Sequence, residues 1–385
     1  MLAFLQLALQ TVKRVISNRH TFLIFSFASF FYLVFYSIPY SNQAITQIHT
    51  AIVDMDQSKM SRDLTDELIS TPMIFPESVT SDFSQAQADF HLAKFDVMIV
   101  IPPDFEADIR RGTPSAVSVF SNGAFPVKGR AVAAMTQLVV GQENIKEAAK
   151  RLVAEGLNPL AVKKMSMKGP SFVSQDLYNN ISGYGVYLVP MVAVVIVQAV
   201  MFFGIGICLG GWAEQRHEKS FARRVFLNGK NFSAVFTGFF IIAFAWSLIL
   251  EGLGLWLLGM PTMLNFPASI LGIAAFSLAI TAAAMALALA MGTNHYAAGM
   301  VLASAPSLFL SGLVFPFENF ATWVIPFAWI LPTTPACRAV LFASQEGANL
   351  LEVLPLITAN LVQFAIYGLL LIWLYRRRYC NSKHI

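Results

Sequence analysis

Residues 184–209 read YGVYLVPMVAVVIVQAVMFFGIGICL, an apolar run without a charged side chain. A helix needs about 20 such residues to cross the hydrocarbon core of a bilayer. This run therefore predicts a membrane-spanning helix, and similar runs elsewhere predict six spans in all. The other predicted spans are 20–38, Phe232–Leu258, Phe266–Met291, Tyr296–Val314 and Leu354–Tyr375, with a turn at 292–295 between the fourth and the fifth.

The composition agrees with a protein that uses lipid as solvent for much of its length. Of the 385 residues, 56% are hydrophobic and 12% are charged, whereas about 25% are charged in a typical soluble domain. These values argue against a disordered chain, a nucleic-acid-binding module and a typical cytosolic enzyme. Residues 39–183 hold 29 of the 48 charged side chains, so we expect this segment to face water.

Lysine and arginine residues in the short flanks of the spans predict the orientation. Residues 1–19, the loop 210–230 and the tail 376–385 carry twelve basic side chains, whereas the opposite short segments carry only Arg338. We therefore expect both termini in the cytoplasm and residues 39–183 outside it. Residues 1–19 also have the spacing of an amphipathic helix lying in the cytoplasmic interface. A simple extension of the first span is the alternative.

The segment between the first two spans alternates short apolar runs with helical patterns, which favours a mixed α/β domain. Val97–Ile101 has the length and β-branching of a buried strand. Ser58 is predicted to cap a helix that begins at Lys59, and Gly112 to stop a later one. The predicted roles of this extracytoplasmic domain are gating, substrate handling or partner docking.

Asp54 and Asp56 suggest a metal-binding loop at first sight. An EF-hand needs further oxygen ligands and a late glutamate at fixed spacing, and the sequence lacks them. His49 and His91 show no ligand pattern either. We therefore expect no metal site in this chain.

Glu251 is the only charged residue within the predicted spans, in the outer half of the third. Burial of an unpaired carboxylate in a membrane is costly, so such a residue is first interpreted as functional. The alternative is a group near the outer interface that water reaches or that pairs with Arg338. One carboxylate gives little support to an ion-driven carrier. The sequence also lacks the ATP-binding pattern G-x-x-x-x-G-K-[ST], so we expect no ATPase activity in the chain itself.

Four sequence elements, in the same order and on the same six-span topology, resemble the ABC-2 type exporter permeases. In the external segment they are AIVDMDQS at 51–58 and IPPDF at 101–105. After the fifth span they are SGLVFP at 311–316 and PTTP at 332–335. The external elements resemble the drug-exporter-like branch of the family, which has a large external domain.

The resemblance implies a pair of permeases driven by separate cytoplasmic ATPase subunits, which would bind ATP and Mg²⁺, with no cofactor on this chain. It also implies a re-entrant segment at 315–345 and a coupling loop at 210–230, for which contact with anionic lipid is the alternative. The candidate coupling residues are Glu214, Arg216, His217, Glu218 and Lys230. The candidates for the transport path or gate are Glu251, Ser311, Gly312, Phe315, Pro316, Pro332 and Arg338.

Together these observations predict an α-helical polytopic membrane protein. Its parts are an interfacial helix (1–19), a first span (20–38), an external α/β domain (39–183), spans two to six (184–375) and a basic tail (376–385).

The predicted function is export of an amphipathic or hydrophobic compound across the bacterial inner membrane. The expected partners are ABC ATPase subunits, a second permease (a copy or a paralogue), a periplasmic adaptor and membrane lipid, and not nucleic acid. An ion-gradient-driven efflux carrier, and a receptor or scaffold whose external domain binds a ligand, remain as alternatives.

Overall fold

A computed structural model of the chain describes residues 1–38, 46–113, 115–123, 126–154, 156, 158, 184–215, 220–312, 314–315 and 317–380. The chain divides into two compact units. Met1–Gln43 and Leu177–Ile385 form one, called the helical unit below. Ala44–Asp176 form the other, called the sheet domain.

The sheet domain is inserted between the second and the seventh helix. In chain order the elements are α1 (Leu2–Ser17), α2 (Arg19–Phe31), β1 (Ile48–Asp54), α3 (Lys59–Ile69), β2 (Ile74–Thr80), α4 (Phe83–His91), β3 (Val97–Ile101), α5 (Phe105–Arg111), β4 (Ser118–Ser121), α6 (Pro126–Ala154), α7 (Tyr184–Glu214), α8 (Ser220–Val225), α9 (Gly229–Ser247), α10 (Phe266–Leu310), α11 (Ile325–Ala328), α12 (Thr333–Ala339) and α13 (Leu350–Tyr375). Short π-helical segments continue α2, α9, α12 and α13, at Tyr32–Tyr36, Leu248–Gly254, Val340–Gln345 and Arg376–Cys380.

The sheet has the strand order β2-β1-β3-β4. β1 is parallel to β2 and β3, and β4 is antiparallel to β3. One face packs Ile52 and Ile99 against α3, α5 and α6, and the other packs Ala51 and Met98 against α4. Because helices cover both faces of the sheet, every side chain of the central strand β3 is buried, and its sequence is a continuous run of apolar residues. The predicted strand at Val97–Ile101 and the mixed α/β character of the domain are confirmed.

Asp54 and Asp56, considered above as a metal loop, bind protein groups at the ends of β1 and β3. Asp54 accepts hydrogen bonds from two backbone N–H groups of the following turn and from the Ser61 hydroxyl (2.8 Å). Asp56 accepts the N–H of Glu106 (3.1 Å), and the Glu106 carboxylate accepts the N–H of Met60 (3.4 Å). Asp56, from the loop before α3, thus caps the first turn of α5, and Glu106 of α5 caps that of α3. Both bonds satisfy N–H groups that a helix start leaves open.

Five helices among the described residues are long and apolar enough to cross a membrane. They are Arg19–Tyr36, Gly185–Glu214, Gly229–Leu257, Phe266–Met291 and Leu350–Tyr379, and each overlaps a predicted span. The sixth prediction, Tyr296–Val314, is not a separate helix. The predicted turn at 292–295 is wrong, because these residues are helical and α10 runs from Phe266 to Leu310 as one element.

α10 nevertheless doubles back on itself. A straight helix of 45 residues would hold its ends about 67 Å apart. At one end the N–H of Asn265 donates to the carbonyl of Ala343 (3.0 Å), and at the other Thr334 Oγ1 donates to the carbonyl of Leu310 (3.4 Å). Thr334 and Ala343 are only nine residues apart in α12 and its π-helical continuation, or at most about 14 Å. The two arms of α10 therefore run in opposite directions.

Asparagine caps four helices of the helical unit. The side chains of Asn18, Asn228, Asn265 and Asn349 accept N–H groups at the starts of α2, α9, α10 and α13, as short polar side chains do at helix starts. At Asn349 the bond is reciprocal, because the Glu352 carboxylate accepts the N–H of Asn349 (2.7 Å). The extended backbone of Asn18 makes α1 a separate helix from α2.

Helix α1 has two apolar faces. Leu2, Leu5, Leu9 and Ile16 are exposed, whereas Leu7, Ala8, Thr11 and Val15 are buried. The buried face lies on α9 at Gly238, where a Cβ atom would come within 2.7 Å of Thr11 Cβ and 2.8 Å of the Ala8 carbonyl oxygen. Glycine is therefore what lets α1 and α9 approach so closely.

Candidate functional site

Glu251 lies in the π-helical continuation of α9. Its side chain is buried, with 1% of the residue exposed. Neither carboxylate oxygen has a hydrogen-bond partner among the described residues. Its backbone carbonyl, in contrast, accepts the hydroxyl of Thr262 (2.6 Å). The segment is thus anchored through its backbone while the carboxylate itself has no partner.

A small cavity of about 10 Å³ adjoins Glu251, between the π-helical end of α9, the start of α10 and the end of α12. Ser269 and Ser344 supply its hydroxyl groups. Ser344 Oγ accepts the N–H of Met263 (2.7 Å), whereas Ser269 Oγ lacks a partner among the described residues. This volume is close to the lower limit for a single water molecule. The cavity can therefore hold at most one water between the carboxylate and the two serines.

Arg338 lies in α12, but its guanidinium is placed 5.1 Å from the ring centroid of Phe317. The Glu251 oxygens accept no hydrogen bond from Arg338 or from any other residue that the structure describes. Together with the burial of Glu251, this geometry argues against the alternative of a water-exposed or Arg338-paired carboxylate.

The predicted residues after the second arm of α10 lie at its end. Ser311 is buried and its hydroxyl donates to the Leu308 carbonyl (3.2 Å). Gly312 has φ of +84° and its carbonyl accepts the Tyr187 hydroxyl (3.3 Å), so a left-handed glycine ends the arm against α7. Phe315 is exposed and its ring stacks on another aromatic side chain, Phe320. Pro316 lies outside the described residues.

Side chains of α13 bind carbonyl groups that the short helices α11 and α12 leave open. Asn360 Nδ2 donates to the carbonyl of Pro332 (3.0 Å), and Gln363 Nε2 donates to that of Trp329 (2.7 Å). Irregular backbone at membrane depth requires such pairing. Asn360 and Gln363 were not among the predicted site residues, although two amides three residues apart in an apolar helix were an available signal.

A third amide joins α7 to the second arm of α10. Gln198 is fully buried, and its Nε2 donates to Ser307 Oγ (2.6 Å). Interhelical hydrogen bonds of this kind hold membrane helices together where no hydrophobic driving force exists between them. Gln198 is the only amide in the apolar run quoted first above, yet the sequence alone did not reveal its partner.

The structure locates two of the five coupling candidates. Glu214 is exposed at the end of α7, and Lys230 is exposed in the first turn of α9. Arg216, His217 and Glu218 lie outside the described residues. In the chain, α8 lies between α7 and α9. It is anchored by the buried side chains of Phe221 and Val225, which belong to the core of the helical unit.

Helix α1 takes part in the same region, which sequence analysis did not predict. Arg14 places its guanidinium 4.2 Å from the ring centroid of Phe221, and that ring meets Trp212 edge-on with 5.1 Å between the ring centroids. A cavity of about 420 Å³ opens beside these residues, lined also by Asn18 and Gln215. A cation–π contact of this kind contributes about 0.5–2 kcal/mol. The predicted coupling region therefore includes contacts among α1, α7 and α8.

The long apolar helices, and the buried amides that join them, are those of a multi-pass membrane protein. The chain belongs to the ABC-2 family: the family described as "ABC-2 family transporter protein" matches residues 19–373. The resemblance found in the sequence is confirmed, and the protein is the membrane component of an ABC transporter, a family that works with ABC ATPase subunits. No curated protein and no solved structure gives a match.

Proposed function

We propose that the protein is the permease subunit of an ATP-driven exporter that moves an amphipathic or hydrophobic compound outward across the bacterial inner membrane. The observation that carries this proposal is the family match, which extends over residues 19–373 and so includes parts of both units. The chain would cross the membrane six times, with the arms of α10 as the fourth and fifth crossings. Both termini would lie in the cytoplasm and the sheet domain in the periplasm.

The energy would come from separate ATPase subunits, which hold ATP and Mg²⁺. Their contact with this chain is best supported at α8, where Arg223 and Arg224 are exposed while Phe221 and Val225 are buried. A short helix anchored on one side and basic on the other can transmit movement of a bound partner to α7 and α9. Arg14 would carry the same movement to α1 through its contact with Phe221. A second permease and a periplasmic adaptor complete the proposed assembly.

Glu251 is proposed to act in gating. Burial of a carboxylate without a partner costs free energy in the conformation described here. A second conformation, in which water or a hydrogen-bond donor reaches the Glu251 carboxylate, would remove that cost. Its position in a π-helical segment supports this role, because such segments are common at functional sites within helices. Ser269 and Ser344 lie beside it and can follow the same rearrangement.

The proposal is tested by purifying the full-length protein from its native membrane in mild detergent and identifying what binds it. We expect an ATPase that carries the G-x-x-x-x-G-K-[ST] pattern. In vesicles that contain both proteins, transport of a fluorescent amphipathic dye should require ATP and should persist when a protonophore collapses the proton gradient. Transport without the ATPase that stops with the gradient would establish an ion-driven carrier instead. Tight ligand binding by the sheet domain with neither ATPase nor transport would favour a receptor or scaffold.

A double charge reversal, Arg223→Glu with Arg224→Glu, tests the coupling region. Co-purification of the ATPase should be lost, because the basic face of α8 becomes acidic. Lys13→Glu is the control, since Lys13 is an exposed basic residue on α1 that lies outside the Arg14–Phe221 contact. Equal loss in the double variant and the control would show a general charge effect and overturn the assignment of α8.

A further inference from the structure

An apolar groove opens between α9 and α13 on the outside of the helical unit. Its volume is about 500 Å³. Phe232 and Phe236 of α9 form one wall, and Phe364, Leu371 and Ile372 of α13 form the other. The walls meet where the Phe236 and Phe364 rings approach to 5.9 Å between centroids. The groove is thus an open space between two candidate membrane spans, and the contact between Phe236 and Phe364 closes it on one side.

The length of the groove corresponds to one leaflet of a bilayer. Along α13 it extends from Phe364 to Arg376, twelve residues or about 18 Å. Half of the hydrocarbon core of a bilayer measures about 15 Å. Gly229 and Gly368 also line the groove, and a Cβ atom built at either meets no atom within 4 Å. The space is therefore open and is not filled by side chains of the described residues.

One end of the groove is basic. Of three consecutive arginines, only Arg376 lines the groove. Arg377 lies 5.3 Å from the ring centroid of Trp373, and Arg378 donates to the carbonyl of Ala290 (3.0 Å). Lys230, which is exposed, follows groove residue Gly229 in the first turn of α9. An apolar channel one leaflet long with a cation at its end complements a molecule that has an anionic head and an acyl chain.

We propose that this groove binds an anionic phospholipid, with its phosphate at Arg376 and one acyl chain between α9 and α13. Basic pockets between membrane helices are suited to such headgroups, and the aromatic and aliphatic walls are suited to the chain. The proposal requires only that α9 and α13 cross a membrane. It therefore stands or falls separately from the exporter function, which is measured by transport.

The headgroup contact is tested by native mass spectrometry of the full-length protein titrated with dioleoylphosphatidylglycerol or dioleoylphosphatidylcholine. Arg376→Gln should weaken phosphatidylglycerol binding about fivefold, the contribution of one basic residue near an anionic surface. It should weaken phosphatidylcholine binding less, because the choline cation offsets the charge of the phosphate in that lipid. Arg377→Gln is the matched control, because that arginine lies on Trp373 instead. Equal weakening by the two substitutions would overturn the assignment of the phosphate to Arg376.

The acyl-chain contact is tested by filling the groove. Gly368→Leu should reduce binding of both lipids, whereas Ala365→Leu, an exposed position on α13 outside the groove, should not. Unchanged lipid binding in Gly368→Leu would overturn the proposal. So would disulfide cross-linking of Ile372→Cys to a second copy in membranes, which would make the groove a protein interface. Reduced dye transport with unchanged lipid binding would assign the groove to cargo instead.

Discussion

The two units bury a carboxylate in opposite ways. In the sheet domain, Asp54 is 7% exposed and accepts three hydrogen bonds. In the helical unit, Glu251 is 1% exposed and accepts none from the residues that the structure describes. Hydrogen bonds offset the desolvation of Asp54, whereas nothing described offsets that of Glu251. Polar contacts thus fix the loops of the sheet domain. The helical unit combines close packing and amide contacts between helices with one carboxylate that is available for a change of partner.

Asp54→Ala tests the first half of this comparison and should have the largest effect on stability. The substitution leaves two N–H groups and the Ser61 hydroxyl without their acceptor, so we expect the sheet domain to lose about 3 kcal/mol. Limited proteolysis of the full-length protein measures this loss, because cleavage follows the population of the opened domain. Asp66→Ala, an exposed position on α3, should change the cleavage rate little. Similar rates in both variants would contradict the proposed role of Asp54.

Gly238→Ala tests the dependence of the helical unit on close packing. The added Cβ would meet Thr11 and the backbone of Ala8 at distances below 3 Å, so we expect a loss of about 1–3 kcal/mol. The thermal unfolding midpoint of the purified protein should fall accordingly. Gly211→Ala is the control, because a Cβ in that helical position meets nothing within 4 Å and alanine stabilises a helix relative to glycine by about 0.5–1 kcal/mol. An equal fall in both midpoints would show that the loss does not come from the contact between α1 and Gly238.

Acid should affect the sheet domain through Glu106. Burial raises the pKa of this carboxyl, but the hydrogen bonds from the Met60 N–H and the Ser58 hydroxyl and the charge of Arg110 outweigh it, so its pKa is lowered overall. A lowered folded-state pKa adds stability above the unfolded value of about 4.3, and this stability is lost as the pH falls through the folded value.

Proteolysis of the sheet domain should therefore accelerate below about pH 4.3. The acceleration should be smaller in Glu106→Gln, which cannot titrate at that position. An identical pH profile for the variant and the natural sequence would assign the acid sensitivity to other carboxylates.

Glu251→Gln tests the second half of the comparison and should have the smallest effect on stability. Since the carboxylate accepts no hydrogen bond from the described residues, a neutral group of similar shape removes no stabilising contact. We expect an unchanged or slightly higher midpoint of thermal unfolding together with reduced dye transport. A large fall in the midpoint would reveal a hidden partner of Glu251, and unchanged transport would remove it from the gate.

Local signals predicted the elements whose causes lie within a few residues. The strand β3, the Ser58 cap of α3 and the left-handed Gly112 at the end of α5 all occur where the sequence indicated. β2 was not predicted, because IFPESVT contains a proline and polar residues that lower its strand propensity. It becomes a strand through pairing with β1 at the edge of the sheet, which no local pattern records.

The candidate site shows the same division. Glu251 could be found from the sequence because a single charge stands out in an apolar helix. Ser269 and Ser344, which share its cavity, belong to other elements and are ordinary residues in membrane helices. The reversal within α10 also could not be located, since the predicted turn residues are themselves helical. Only the contacts at the two ends of α10 show that the chain returns.

The packing of α1 on α9 has a consequence for biogenesis. Thr11 and Gly238, which meet in the finished protein, are 227 residues apart in the sequence. At about 5–20 residues per second, α1 leaves the ribosome roughly 10 to 45 seconds before its partner has been made. The exposed leucine face of α1 would contact the membrane surface during that interval. The other face would be buried later, when α9 has been made and packs against it.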